Sequence, residues 1–125
     1  MSYKIGTNTT SLTDLEALST TTLPYPKSLY RPYSVQTPLI SGGVRGAGAP
    51  VVQWHWGFLT LAQRDKLRTY CTGASASVYI ETKTVDTTDA YASYSAQMIW
   101  PEEEDRDVGR RMDFIVVFKN LVAVV

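Results

Sequence analysis

One histidine, one cysteine, a run of carboxylates and a glycine-rich loop are the residues of this chain that could do chemistry, and their spacing limits what each can do. His55 is the sole histidine, which excludes a two-histidine metal site and the HExxH zinc motif. It could serve as a general base, but in VVQWHWGF it lies between two tryptophans on the face opposite the apolar one. Cys71 is the only cysteine, so an intramolecular disulfide and a thiolate cluster are both excluded. At the end of a helix it reads as a small buried hydrophobe. Glu102, Glu103, Glu104, Asp105 and Asp107 stand close together, yet without the alternating ligands and sixth-position glycine of an EF-hand. A consecutive run also sprays its side chains into water, whereas glycosidase carboxylates need separate, shielded positions. With Arg106, Arg110 and Arg111 beside it, the run reads as a solvated hairpin tip, or else as a charge-complementary contact between copies. Gly42, Gly43, Gly46 and Gly48 fit neither a P-loop nor a GxGxxG turn, since no Lys-Ser/Thr pair follows and a strand comes next. A GxSxG elbow is absent too. The expectation is a protein that is not an enzyme, with no cofactor and no metal.

The elements that carry these residues are mostly strands. In VVQWHWGF, Val52, Trp54, Trp56 and Phe58 are expected on one face and Val51, Gln53 and His55 on the other. Thr60 then stands at an N-cap position with Gln63 three residues on, which predicts a capping box and a helix over about 60–71. SVYIETKT (77–84) places Val78, Ile80 and Thr82 together, and SYSAQMIW (93–100) places Tyr94, Ala96, Met98 and Trp100 together. DTTDAYA (86–92) reads as a turn between them. MDFIVVFKN (112–120) is the strongest strand, and LVAVV either extends it past Asn120 or forms a last edge strand. Trp54, Trp56, Phe114, Val116 and Phe118 are the expected core.

The first fifty residues differ in character. Residues 1–22 are rich in Thr and Ser, with a weak helical hint at Leu12, Leu15 and Leu18 and a cap at Thr13. They read as an arm that is ordered only by whatever packs on it. Pro24, Pro26, Pro32, Pro38 and Pro50 punctuate residues 23–50; they bar a helix and confine any strand to an edge. Long irregular segments are usually functional, and tyrosine and arginine are enriched at interaction hot spots. Tyr25, Tyr30, Arg31, Tyr33 and Arg45 are therefore the candidate subunit-contact residues. The division is an arm and Pro/Gly/Tyr-rich loop over 1–50 and a body over 51–125, forming one domain. The fold class is mainly β: a β-sandwich or rolled antiparallel sheet with one flanking helix and an extended N-terminal arm.

The totals narrow the function. The 125 residues suffice to bury a core without staples. Lys plus Arg equals Asp plus Glu at 12 each, which argues against a nucleic-acid binder and against a polybasic membrane anchor. Neutrality also leaves little self-repulsion between packed copies. There is no signal-peptide core and no membrane-length apolar run, so synthesis in a cytoplasm is expected. Trp54, Trp56 and Trp100 read as packing residues, the alternative being a sugar-stacking platform.

From Gly42 to Leu121 the chain resembles small tail-tip proteins of long-tailed bacteriophages, the distal tail or minor tail proteins. The likeness lies in the order of elements: a Gly/Arg loop, the aromatic strand WHWGF, the helix LTLAQRDKLRTYC, the turn and strand GASASVYI, the strand YSAQMIW, and a charged loop leading to FIVVF. The resemblance implies a non-catalytic virion protein, made in the host cytoplasm. Such a protein assembles as a ring, commonly a hexamer, and joins the tail tube to the hub. Its partners would be further copies of itself and other tail proteins. Other ring components of the tail (tube, terminator or connector) share similar architecture. A small β-sandwich carbohydrate-binding module is the alternative outside that group.

Overall fold

Alternation of apolar and polar residues at a period of two builds a large antiparallel sheet, flanked by a helix. The computed structural model describes residues 3–8, 12–18, 21–33, 35–85, 90–103, 105–107 and 110–123. The strands are β1 (Lys4–Gly6), β2 (Thr13–Asp14), β3 (Lys27–Arg31), β4 (Val35–Pro38), β5 (Val44–Ala47), β6 (Val51–Thr60), β7 (Ser75–Val85), β8 (Ala90–Ile99), β9 (Asp105–Asp107) and β10 (Arg110–Ala123). The helix α1 (Leu61–Arg68) follows β6 directly. The main sheet runs β2-β1-β7-β8-β10-β6-β3, and β9 pairs with β10 beside it; β4 and β5 form a separate two-stranded sheet.

The sheet rolls until its β3 end comes against β7. Trp54 Nε1 donates to Thr82 Oγ1 at 3.1 Å, and Ser28 Oγ lies 3.3 Å from the same hydroxyl oxygen. The concave side is the core. Trp54, Trp56, Phe114, Val116 and Phe118 are all buried there with Val52, Val78, Ile80 and Met98. Trp54 packs edge-on against Trp56, Phe118 and Tyr3, with Phe118 the nearest at 4.6 Å between ring centroids, the tilted geometry that aromatic quadrupoles favour.

Phe58 departs from the expected face: it is exposed, and Leu59 is buried in its place. Both members of the β6–β10 pair switch faces at the same level. Trp56 opposes Phe114 inside, whereas Phe58 opposes Met112 outside, with Gly57 and Asp113 between them. Asp113 sits in the left-handed region at φ 47°, which aspartate tolerates better than most residues. A second irregularity lies farther along β10. Lys119 pairs with Gln97 but Val122 pairs with Ser95, so one extra residue is accommodated, and Asn120 takes φ 55°. This is a bulge, and it carries the strand on past Asn120 to Ala123.

The N-terminal segment is extended, and what packs on it is the body itself. β1 pairs with β7, Ile5 opposite Ile80, and Tyr3, Ile5, Leu15, Leu18 and Leu23 lie in the common core. A 3-10 turn, Leu15–Ala17, replaces the weak helix, and its cap is Asp14, whose carboxylate accepts the Glu16 N–H at 2.9 Å, in place of Thr13. Trp56 Nε1 donates to the Pro24 carbonyl at 2.8 Å, fastening the proline segment to β6. Among the described residues β3 is an edge strand, paired only with β6, as its flanking prolines require. Residues 42–48 are not a loop throughout: Val44–Ala47 is a strand paired with Val35–Pro38.

The helix begins at the expected cap. Gln63 N–H donates to Thr60 Oγ1 at 3.3 Å and Thr60 N–H to Gln63 Oε1 at 3.0 Å. It ends at Arg68, earlier than expected, in a turn that delivers Cys71 to the core. Only Leu67 of the helix is fully buried, and the guanidiniums of Arg64 and Arg68 lie 5.2 and 4.5 Å from the Trp100 ring. Residues 86–89, the centre of the expected turn, lie outside the described residues, and Ala90–Ala92 are already strand. The acidic loop contains β9, whose Asp107 opposes Arg110; Glu104 and residues 108–109 lie outside the described residues.

Candidate assembly surface

The antiparallel pair β3–β6 ends at Arg31 opposite Val51. Beyond it the chain does not close in a short turn but continues as the β4–β5 hairpin. Val35 opposes Ala47, Gln36 opposes Gly46, Thr37 opposes Arg45 and Pro38 opposes Val44. The tip is a tight turn: Gly42 N–H donates to the Leu39 carbonyl at 3.0 Å and Leu39 N–H to the Gly43 carbonyl at 2.8 Å. Gly42 takes φ 91°, the left-handed position that such three-residue hairpin loops require. At the base, the Tyr33 ring lies directly over Gly46, where any Cβ would collide with it.

This hairpin is apolar and exposed. Every residue of β4 is exposed. Val35, Leu39 and Val44 keep 55%, 47% and 59% of their surface in water, and Ile40 at the tip is fully exposed. Strand alternation puts Pro38 and Val44 on the same face of the hairpin as Gly46, beyond the Tyr33 ring. An isolated two-stranded ribbon is marginally stable in water, and monomeric proteins rarely expose contiguous apolar patches above a few hundred Å².

At the foot of the hairpin the convex face of the sheet is also apolar. Leu29, Gln53, Val117 and Ile99 stand side by side on β3, β6, β10 and β8, with Val51 and Ile115 in the neighbouring rows. Two depressions open there around Gln53. One, of about 270 Å³, is lined by Leu29, Tyr30, Arg31, Pro32 and Val51. The other, of about 470 Å³, reaches across Val117 and Lys119 to Asn120.

The five candidate contact residues divide between two places. Tyr33 and Arg45 belong to the hairpin and are exposed, Arg31 is exposed at its foot, and Tyr30 is half-buried against the core. Tyr25 stands apart at the other end of the proline segment. Its hydroxyl donates to the Asp14 carboxylate at 2.8 Å and its ring lies 5.5 Å from that of Tyr3. The exposed side chains of this hairpin that the sequence reading did not single out are aliphatic: Val35, Leu39, Ile40 and Val44. Their signal was four large apolar residues in a stretch too rich in Pro and Gly to bury them.

The residues weighed for chemistry are dispersed. His55 faces the convex side, with Nε2 3.5 Å from Asp113 Oδ1. Cys71 is buried, its thiol directed at the Gly73 and Met98 carbonyls, and burial raises its pKa above the ordinary thiol value; this favours the unreactive protonated form. Lys4 pairs with Glu81 at 3.6 Å. Among the described residues there is no group of three or more His, Cys, Asp or Glu side chains that could hold a metal ion, and no helix is long and apolar enough to cross a membrane. Trp54, Trp56 and Trp100 are all buried, so they present no stacking platform to a sugar. No family model, curated protein or solved structure matches the chain.

Proposed function

We propose that this chain is a structural, self-assembling virion protein that forms a ring at the distal end of a long bacteriophage tail, joining tube to hub. The observation that carries the assembly half of this reading is the β4–β5 hairpin, an apolar ribbon whose strands, among the described residues, pair only with each other and whose tip residue Ile40 is fully exposed. Such a feature is stable when a neighbour covers it. The tail half rests on the resemblance in element order from Gly42 to Leu121. The resemblance implies a β-sandwich with a flanking helix, and the mainly β fold with a large antiparallel sheet and one helix is consistent with it. The equal count of 12 basic and 12 acidic residues lets copies approach without net repulsion. The ring role needs no catalytic residue, and the buried tryptophans speak against the carbohydrate-binding alternative. Negative-stain electron microscopy of the purified protein tests the reading: closed rings with an open centre are expected, and fields of single compact particles at every concentration would overturn it.

A further inference from the structure

Resting on the ring reading, we infer that the hairpin tip of one copy seats in the convex-face depression around Gln53 of the next. Both halves of the contact are carried by one chain, which is why the occupant is a second copy. The donor half is the fully exposed Ile40 with Leu39, Pro38 and Val44, a surface without a charged side chain. The acceptor half is the apolar row Leu29–Val117–Ile99 with Val51, recessed at the two depressions on either side of Gln53. The hairpin continues the β3–β6 ribbon outward from its last pair, Arg31 with Val51. Its tip is thus carried beyond the sheet while the acceptor stays at its foot. Donor and acceptor are different surfaces, so the contact is heterologous, and repetition of one heterologous contact closes into a ring when the rotation allows.

The polar groups also fit. Gln53 stands at the centre of the acceptor and Asn120 at its border, and their amides can bond the unpaired backbone edges of an arriving two-stranded ribbon. Arg31 and Lys119 border the same depression, and the apolar side of the tip brings no cation against them. A stable contact needs roughly 800 Å² from each partner, more than four aliphatic side chains supply. Both strands of the hairpin, Val35–Pro38 and Val44–Ala47, therefore take part through the face that carries Pro38 and Val44, with Arg45 on the other face.

Disulfide trapping between two differently tagged copies tests this, one carrying Ser41→Cys at the tip and the other Gln53→Cys in the acceptor. Native Cys71 is fully buried and does not compete. The mixed Ser41Cys–Gln53Cys disulfide is expected to exceed either self-pair several-fold. In parallel, Ile40→Asp should weaken association about thirtyfold, the size of a hot-spot loss, with the far-ultraviolet circular dichroism unchanged. Closed rings of wild type accompanied by tip-to-tip disulfides, or by an Ile40→Asp variant that still forms rings, would overturn the inference and leave the ring reading standing. A wild-type chain that forms no rings at all would overturn both.

Discussion

Thr82→Val is the substitution that most sharply tests how the sheet is rolled. Thr82 is fully buried on β7, and its hydroxyl accepts the indole N–H of Trp54 on β6 at 3.1 Å, with Ser28 of β3 3.3 Å away. β7 neighbours neither β6 nor β3 in the sheet, so the hydroxyl joins separated parts of it across the core. Valine has the same shape but no acceptor, and an indole N–H can only donate. Stranding that buried donor costs about 1–3 kcal/mol, offset by about 0.8 kcal/mol for the more apolar side chain. The net loss is about 1.2 kcal/mol. For 125 residues that lowers the melting midpoint by about 5 °C and the urea midpoint by about 0.6 M, with m unchanged. The assay is urea unfolding followed by circular dichroism, repeated in a Trp54→Phe background. There the donor is gone, and Thr82→Val should cost close to nothing. An equal cost in both backgrounds, or a Thr82→Val protein as stable as wild type, would refute the hydrogen bond as the link between β6 and β7.

Thr60→Ala removes the hydroxyl that accepts the Gln63 N–H and should cost about 1 kcal/mol, read as a fall in thermal midpoint with little change in the sheet signal. Asn120→Gly should leave stability unchanged or slightly raised, because glycine accepts φ 55° freely. Asn120→Ala should lose about 1 kcal/mol in the same denaturation assay. The raised pKa of Cys71 gives a pH dependence with a definite sign. Above about pH 8.5 the unfolded thiol releases its proton while the folded one keeps it. Stability contributed by this site is therefore complete below that pH and declines as pH rises toward the folded value. Cys71→Ala should flatten that alkaline slope in chemical denaturation curves taken from pH 7 to pH 10.

The body of the fold is legible in the sequence because local pattern and packing agree there. Trp54, Trp56, Phe114, Val116 and Phe118 alternate at the strand period and are buried; the Thr60–Gln63 signature caps the helix as the spacing requires. Phe58 breaks from the pattern because Gly57 and Asp113 let both strands switch face together, an effect of the pair that neither strand shows alone. The N-terminal segment was harder to read for a related reason. Ile5 is one apolar residue among Thr and Ser, and only its pairing opposite Ile80 makes it core. The hairpin was hidden by its composition: Pro38 and four glycines read as a loop, yet the proline stands at the open end of a strand and Gly42 supplies the left-handed turn residue. Ile40 becomes informative only once its exposure is known.

The mass of the purified protein in solution, by multi-angle light scattering, tests the assembly claim most directly. A closed ring of about six copies of the 13.9 kDa chain predicts a species near 83 kDa that persists on dilution. A particle of one chain mass at every concentration would contradict the account.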